Sequence, residues 1–163
     1  MSSLNKNTFF KSLMFYFPTL ILFLSVLNEI DLNYLAIEYF SFNFAHVLIF
    51  YWTLKNPYYL SYGSIFIAGL INDVVIGTPI GISSFCYLLI CTVTAYLRNI
   101  TLTPNFINDW LSLLFTILLI NSIQVMSLDL IFSIEVNYMK YFLNSGFTFI
   151  FYPLFLFIFN NIE

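Results

Sequence analysis

Gly69-Leu70-Ile71-Asn72-Asp73-Val74-Val75-Ile76-Gly77-Thr78-Pro79-Ile80-Gly81 decides how the rest of this chain is read. A carboxylate sits inside an otherwise apolar stretch. Glycines stand four residues to either side of it, and a Pro/Gly turn follows. An acid at membrane depth is expensive, so a chain that keeps one there usually has a use for it. Small residues four apart let another helix backbone come close. The stretch therefore reads as a tightly packed, polar helix seam ending in a turn.

Composition sets the solvent around that seam. The chain of 163 residues is 61% hydrophobic, 21% aromatic and 8% charged, with a mean hydropathy of +0.91. A soluble domain carries about 25% charged residues, so this chain lacks the polar surface a soluble fold needs. It reads as an all-α integral membrane protein forming a single helical bundle. A net charge of -3 with scattered basic residues excludes nucleic acid as a partner. Cys86 and Cys91 lie five apart in one apolar run, a spacing that suits core packing better than a metal site or disulfide.

Six apolar segments are expected to span the bilayer, at about 12–28, 42–54, 58–76, 82–97, 110–134 and 141–159. No small-x-small cleavage signal follows the first, which reads as an uncleaved anchor. A perpendicular crossing takes ~20 residues, so the second segment is short: a thinned span or a re-entrant piece. Continuous apolar runs, rather than alternating strands, argue against a β-barrel. Six spans with the N-terminus inside put Lys6, Lys11, Lys55 and Arg98 in the cytoplasm and leave only Lys140 outside, the positive-inside pattern. Both termini are then cytoplasmic. Glu29, Asp31 and Glu38 fall in the first external loop. Trp52, Trp110, Tyr51, Tyr58 and Tyr59 gather at the inner face as an aromatic belt. A re-entrant second segment would instead carry Lys55 outside and invert the later loops.

Asp73 and Asp129 both fall near the external ends of their spans. Paired acids mark proton or ion pathways. The same acids also serve as buried hydrogen-bond acceptors for Asn72, hydroxyls or free N–H groups at a helix terminus, or as contacts for a basic group on another subunit. His46 is alone in its segment and reads as a hydrogen-bonded packing residue, because zinc needs three or four ligands. Asn121, Gln124 and Ser127 share a face and suit interhelical hydrogen bonds. Asn144 and Pro153 loosen the last helix, since proline frees a backbone carbonyl. No Walker loop, zinc motif, nucleophile elbow or Ser/His/Asp arrangement is present. No catalytic activity, metal or cofactor is expected.

From Phe42 to Gly81 the chain resembles the bacterial rod shape-determining protein MreD family. Phe42-Asn43 opens a short apolar run that ends at Tyr51-Trp52. Asn56-Pro57, Tyr62-Gly63, Gly69-Leu-Ile-Asn-Asp73 and the Gly77-x-x-x-Gly81 turn follow in order. Total length fits, as does a last helix with Asn144 upstream of Pro153. The family's usual Lys/Arg-rich tail is replaced by Asn160-Asn161-Ile162-Glu163, so a contact made through such a tail does not carry over.

The resemblance implies a non-enzymatic role in the elongation machinery that inserts peptidoglycan along the side wall. Its partner would be the bitopic protein MreC and, through it, the actin-like MreB, the glycosyltransferase RodA and a class B penicillin-binding protein. The site candidates for helix packing or partner binding are Gly69, Asn72, Asp73, Gly77, Pro79, Gly81, Asp129, Asn144 and Pro153. The family is also similar to the six-helix substrate-binding subunits of energy-coupling-factor transporters, which keeps a small-molecule transporter subunit as the alternative. Such a subunit needs a cavity with convergent polar groups. Along this sequence the polar groups look few and scattered, which favours a packing scaffold. A proton-conducting subunit built on Asp73 and Asp129 is a third reading.

Overall fold

The computed structural model describes residues 16–25, 42–100 and 105–162. Among these residues the structure is helical, with no strand. α1 covers Tyr16–Ser25. α2 covers Phe44–Lys55, α3 Tyr62–Ile76, α4 Ile82–Ile100, α5 Phe106–Leu130 and α6 Tyr138–Ile162. Lys6, Lys11, Glu29, Asp31, Glu38, the ends of the first expected span and the side chains from Asn160 onward lie outside the described residues.

The short second segment is the centre of the bundle. Every residue from Ala45 to Thr53 is buried. A helix that is apolar all round must be enclosed, and α2 is packed by α4, α5 and α6. Its 12 residues rise about 18 Å, well short of the ~30 Å hydrocarbon core. Protein rather than lipid covers its flanks, so its length need not match the bilayer. Aromatic rings fill its seam with α6: Phe44 lies 4.9 Å from Phe155, Tyr51 5.0 Å from Phe159, and Phe50 meets Tyr152 edge-on at 6.0 Å.

The expectation of six membrane-length spans is met only in part. Two helical stretches among the described residues, Phe106–Leu130 and Tyr138–Phe159, are long and apolar enough to cross a membrane alone. α3 is apolar but shorter, with 15 residues. The outer surface of the bundle is nonetheless apolar. Phe66, Ile67, Phe115, Ile150, Leu154 and Phe157 are exposed, and a surface of that kind suits lipid.

Helix ends differ from the apolar runs where caps intervene. α3 starts at Tyr62 rather than residue 58, because Ser61 Oγ accepts the Ser64 N–H at 3.1 Å as an N-cap. α5 stops at Leu130, not Ile134. Ser133 turns left-handed with φ 52°, and the Ser133 and Ile134 amides return to the Asp129 and Leu128 carbonyls. The start of α2, the end of α3, the start of α4, the end of α5 and the start of α6 converge at one end of the bundle, around a common cavity.

Candidate functional site

The turn joining α3 to α4 is organised by Asp73. Its side chain is fully buried. Oδ1 accepts from Thr78 Oγ1 at 2.9 Å and from the Ser83 N–H at 2.9 Å. Oδ2 accepts from the Gly81 N–H at 2.7 Å. The backbone carbonyl of the same residue takes the Gly77 and Thr78 amides at 2.9 and 3.0 Å. Asp73 thus ends α3 with its main chain and caps α4 with its side chain. A carboxylate here meets both the orphan amides and the positive end of the α4 dipole. Gly77 and Gly81 have φ of +81° and +106°, a region that side chains other than glycine's rarely occupy. Pro79 sits between them, and its carbonyl accepts from the Ile82 N–H at 3.4 Å.

Close approach of α3 and α4 is concentrated at Gly69. A methyl group built there would strike the Ser84 backbone and come within 2.8 Å of Ser84 Oγ. Ser84 Oγ in turn donates to the Phe66 carbonyl at 2.9 Å. Asn72 Nδ2 donates to Ser83 Oγ at 3.1 Å. Gly77 and Gly81 meet nothing within 4 Å among the described residues, so the close approach expected at the three glycines, in this chain or to a partner, occurs inside this chain at Gly69. Those two serve the turn through their backbone geometry.

Beside the turn lies a polar cavity of about 130 Å³. Asn43, His46, Asn72, Gln124, Lys140 and Asn144 all line it. The polar groups that look scattered in sequence are therefore gathered, which corrects that reading. They come from α2, α3, α5 and α6, and the bundle brings them to one place. Asn43 and His46 are linked, with Nδ2 and Nε2 3.3 Å apart, and Tyr87 packs edge-on to the imidazole at 5.6 Å. Asn43 Oδ1, His46 Nδ1 and Asn72 Oδ1 have no hydrogen-bond partner among the described residues. A buried polar atom left that way costs roughly 1–3 kcal/mol. Among the described residues no cluster of His, Cys, Asp and Glu could hold a metal ion.

The remaining candidates lie apart from the turn. Asp129 is exposed near the end of α5 and accepts from Tyr138 Oη at 3.2 Å. Neither Asp73 nor Asp129 lines the cavity. Asn121 bridges α5 and α6, donating to Ser145 Oγ at 2.7 Å. Ser127 bonds within its own helix, to the Ile123 carbonyl. The Asn144 carbonyl accepts from Thr148 Oγ1 at 2.6 Å, and that hydroxyl accepts the Asn43 N–H at 2.9 Å. Cys86 and Cys91 are buried and free, with Thr53 Oγ1 3.2 Å from the Cys91 sulfur.

Pro153 lies inside α6 and removes the hydrogen bond to the Phe149 carbonyl. Trp110 of α5 supplies the missing donor. Its Nε1–H reaches the Phe149 carbonyl at 2.9 Å, and its ring stacks on Phe149 at 4.7 Å. The sequence suggests an interfacial anchor at Trp110; the structure adds an interhelical bond that only the α5–α6 register discloses. Trp110→Phe keeps the stack and loses the donor, so the detergent-solubilised protein should lose about 1 kcal/mol of stability. In a Pro153→Ala background the helix supplies its own N–H, and the same substitution should cost little. Equal losses in the two backgrounds, read by thermal unfolding, would show that the Trp110 bond does not serve the proline break.

No curated protein and no solved structure matches this chain. The model of one family, described as rod shape-determining protein MreD, matches residues 7–162. With nearly the whole length matched, the acid-capped turn and the proline-broken last helix included, the chain belongs to the MreD family of rod shape-determining membrane proteins.

Proposed function

We propose that this chain is a non-enzymatic scaffold of the bacterial inner membrane that holds the cell-elongation complex together. Membership of the family gives it a role in determining rod shape. In our reading it binds MreC directly, and through MreC it meets MreB, RodA and a class B penicillin-binding protein during side-wall peptidoglycan synthesis. The observation that carries the reading is the family match over residues 7–162. The geometry agrees with it: a pinned α3–α4 hairpin presents exposed apolar side chains such as Ile71, Val74 and Ile80, surfaces on which partner helices can pack. Its mechanism is differential binding. A scaffold that packs better against one arrangement of its partners' helices biases the complex toward that arrangement.

Capture from mildly solubilised membranes tests this. Affinity-tagged protein should recover MreC and cell-wall synthases, and recovery of neither would remove the assembly role. We also place the bundle with both termini cytoplasmic and the cavity end external. Cysteine labelling of intact cells should then reach a Cys replacing Asp31 and miss one replacing Lys55. Labelling at Lys55 but not at a Cys replacing Arg98 would defeat the six-span arrangement.

One observation favours a second reading. The convergent polar cavity is the feature required of an energy-coupling-factor type transporter subunit. Recovery of an ATPase module in the same capture would support transport in place of assembly.

A further inference from the structure

The atoms left without partners around the cavity have definite hydrogen-bonding characters. An amide nitrogen only donates. Asn43 Nδ2 faces His46 Nε2, so Nε2 accepts and the neutral ring carries its proton on Nδ1. Asn72 Nδ2 is used by Ser83 Oγ, which leaves its carbonyl oxygen. The cavity wall therefore holds two unused acceptors, Asn43 Oδ1 and Asn72 Oδ1, and one unused donor, His46 Nδ1. His46 and Asn72 are only 2% and 4% exposed, so bulk solvent does not serve them. Lys140 lines the same cavity from an exposed position and adds an ammonium with three donors.

We infer that this cavity is a binding site for a compact carboxylate bearing a hydrogen-bond donor on the neighbouring carbon, a small amino acid or hydroxy acid. The carboxylate takes the Lys140 ammonium and the His46 Nδ1–H. The ammonium of an amino acid donates to the carbonyl oxygens of both Asn43 and Asn72, and all three unused atoms are then satisfied at once; the hydroxyl of a hydroxy acid carries one O–H and donates to one of the two. Size agrees: about 130 Å³ is close to a cavity that takes a benzene-sized ligand of ~six heavy atoms. A plain carboxylate would leave the two amide oxygens without donors. A plain amine would leave Lys140 and His46 without an acceptor. The site is independent of the assembly role, because binding is read on the isolated chain and assembly is read by partner capture.

The test uses the full chain purified in detergent and immobilised for a scintillation proximity assay. Tritiated alanine and lactate are the probes, with propionate and ethylammonium as competitors. Saturable binding of alanine, lactate or both is expected; alanine alone identifies an ammonium as the donor, and lactate alone a hydroxyl. Propionate and ethylammonium should compete at least about tenfold less well than the bound probe. Lys140→Met and Asn43→Leu should each weaken binding about tenfold or more. Lys140 is exposed, so its substitution leaves the fold intact, which gel filtration verifies. No saturable binding of either probe would mean the cavity holds water alone and would overturn the proposal. So would equal competition by propionate or ethylammonium, or binding that survives either substitution unchanged.

Discussion

Asp73→Leu is expected to prevent stable accumulation of the protein, while Asp73→Asn leaves a weakened but folded bundle. The difference follows from which oxygen holds which donor. Leucine removes both acceptors and strands Thr78 Oγ1 and the Gly81 and Ser83 amides. A stranded buried donor costs roughly 1–3 kcal/mol; the Ser83 amide is buried and the other two donors are part-buried, so together they take a large share of a domain stability of ~5–15 kcal/mol. Asparagine with its oxygen at the Oδ1 position keeps Thr78 and Ser83. Its amide nitrogen, however, faces the Gly81 N–H, donor against donor. One bond of three is lost, and the favourable meeting of a carboxylate with the start of α4, about 0.3–1 kcal/mol or more when partly buried, goes with it. Asn is therefore intermediate rather than neutral.

The same pair of variants separates structure from ion transport. A proton relay through Asp73 would fail equally in both, because asparagine does not ionise. The measurement is apparent unfolding temperature in detergent, together with cell width in a depletion strain expressing each variant at matched levels. The expected order is wild type, then Asn, then Leu in both. Equal and complete loss of rod shape in both variants, with normal unfolding temperatures and normal partner capture, would revive the relay. The geometry speaks for the cap: Asp129 is exposed and bonded to Tyr138, and neither acid lines the cavity.

The hydrogen-bonding surroundings of Asp73 are one of the readings its sequence offers, because the donors are local. An acid four residues before a glycine, followed by Thr-Pro-x-Gly, holds its own donors within ten residues. The helices themselves are legible as apolar runs; their ends shift by a few residues, at the start of α3 and the end of α5 because Ser61 and Ser133 redirect the chain. Depth inside the bundle is not legible. Lipid and protein core are equally apolar, so the run from Ala45 to Thr53 gives no sign that protein encloses it on every side. The cavity is hidden for a related reason. Asn43 and His46 precede and open α2, Asn72 lies near the end of α3, Gln124 in the last two turns of α5, and Lys140 and Asn144 in the first two turns of α6. Their convergence depends on the rotation of each helix about its axis, and uniform hydrophobicity leaves that rotation undetermined. Likewise Pro153 announces a freed carbonyl, yet the α5–α6 register alone assigns it to Trp110.

Gly69→Ala should be the most damaging single methyl group that can be added to this chain. The comparison that makes the prediction sharp is the set of five glycines. At Gly69 the new carbon collides with the Ser84 main chain, and a backbone cannot rotate aside as a flexible side chain can. Relief requires α3 and α4 to separate. Separation would stretch the Ser84 to Phe66 bond, the Asn72 to Ser83 bond and the Asp73 cap together. Overpacking of a well-packed seam costs about 1–3 kcal/mol, occasionally more, and here three linked hydrogen bonds add to it. Gly77→Ala meets nothing within 4 Å but must hold a φ of +81°, a strain of roughly 1–2 kcal/mol. Gly146→Ala meets nothing within 4 Å among the described residues and has no positive φ. It should be neutral or stabilising, since alanine is favoured over glycine in a helix by roughly 0.5–1 kcal/mol. Unfolding temperature in detergent should therefore rank Gly146→Ala highest, Gly77→Ala lower and Gly69→Ala lowest, with Gly69→Leu failing to accumulate. Partner capture adds a second reading: a Gly146→Ala protein that is stable yet loses MreC would place the partner against that open face of α6. Normal accumulation and normal unfolding of Gly69→Ala would mean that α3 and α4 do not meet at Ser84, and the hairpin account of Asp73 would fall with it.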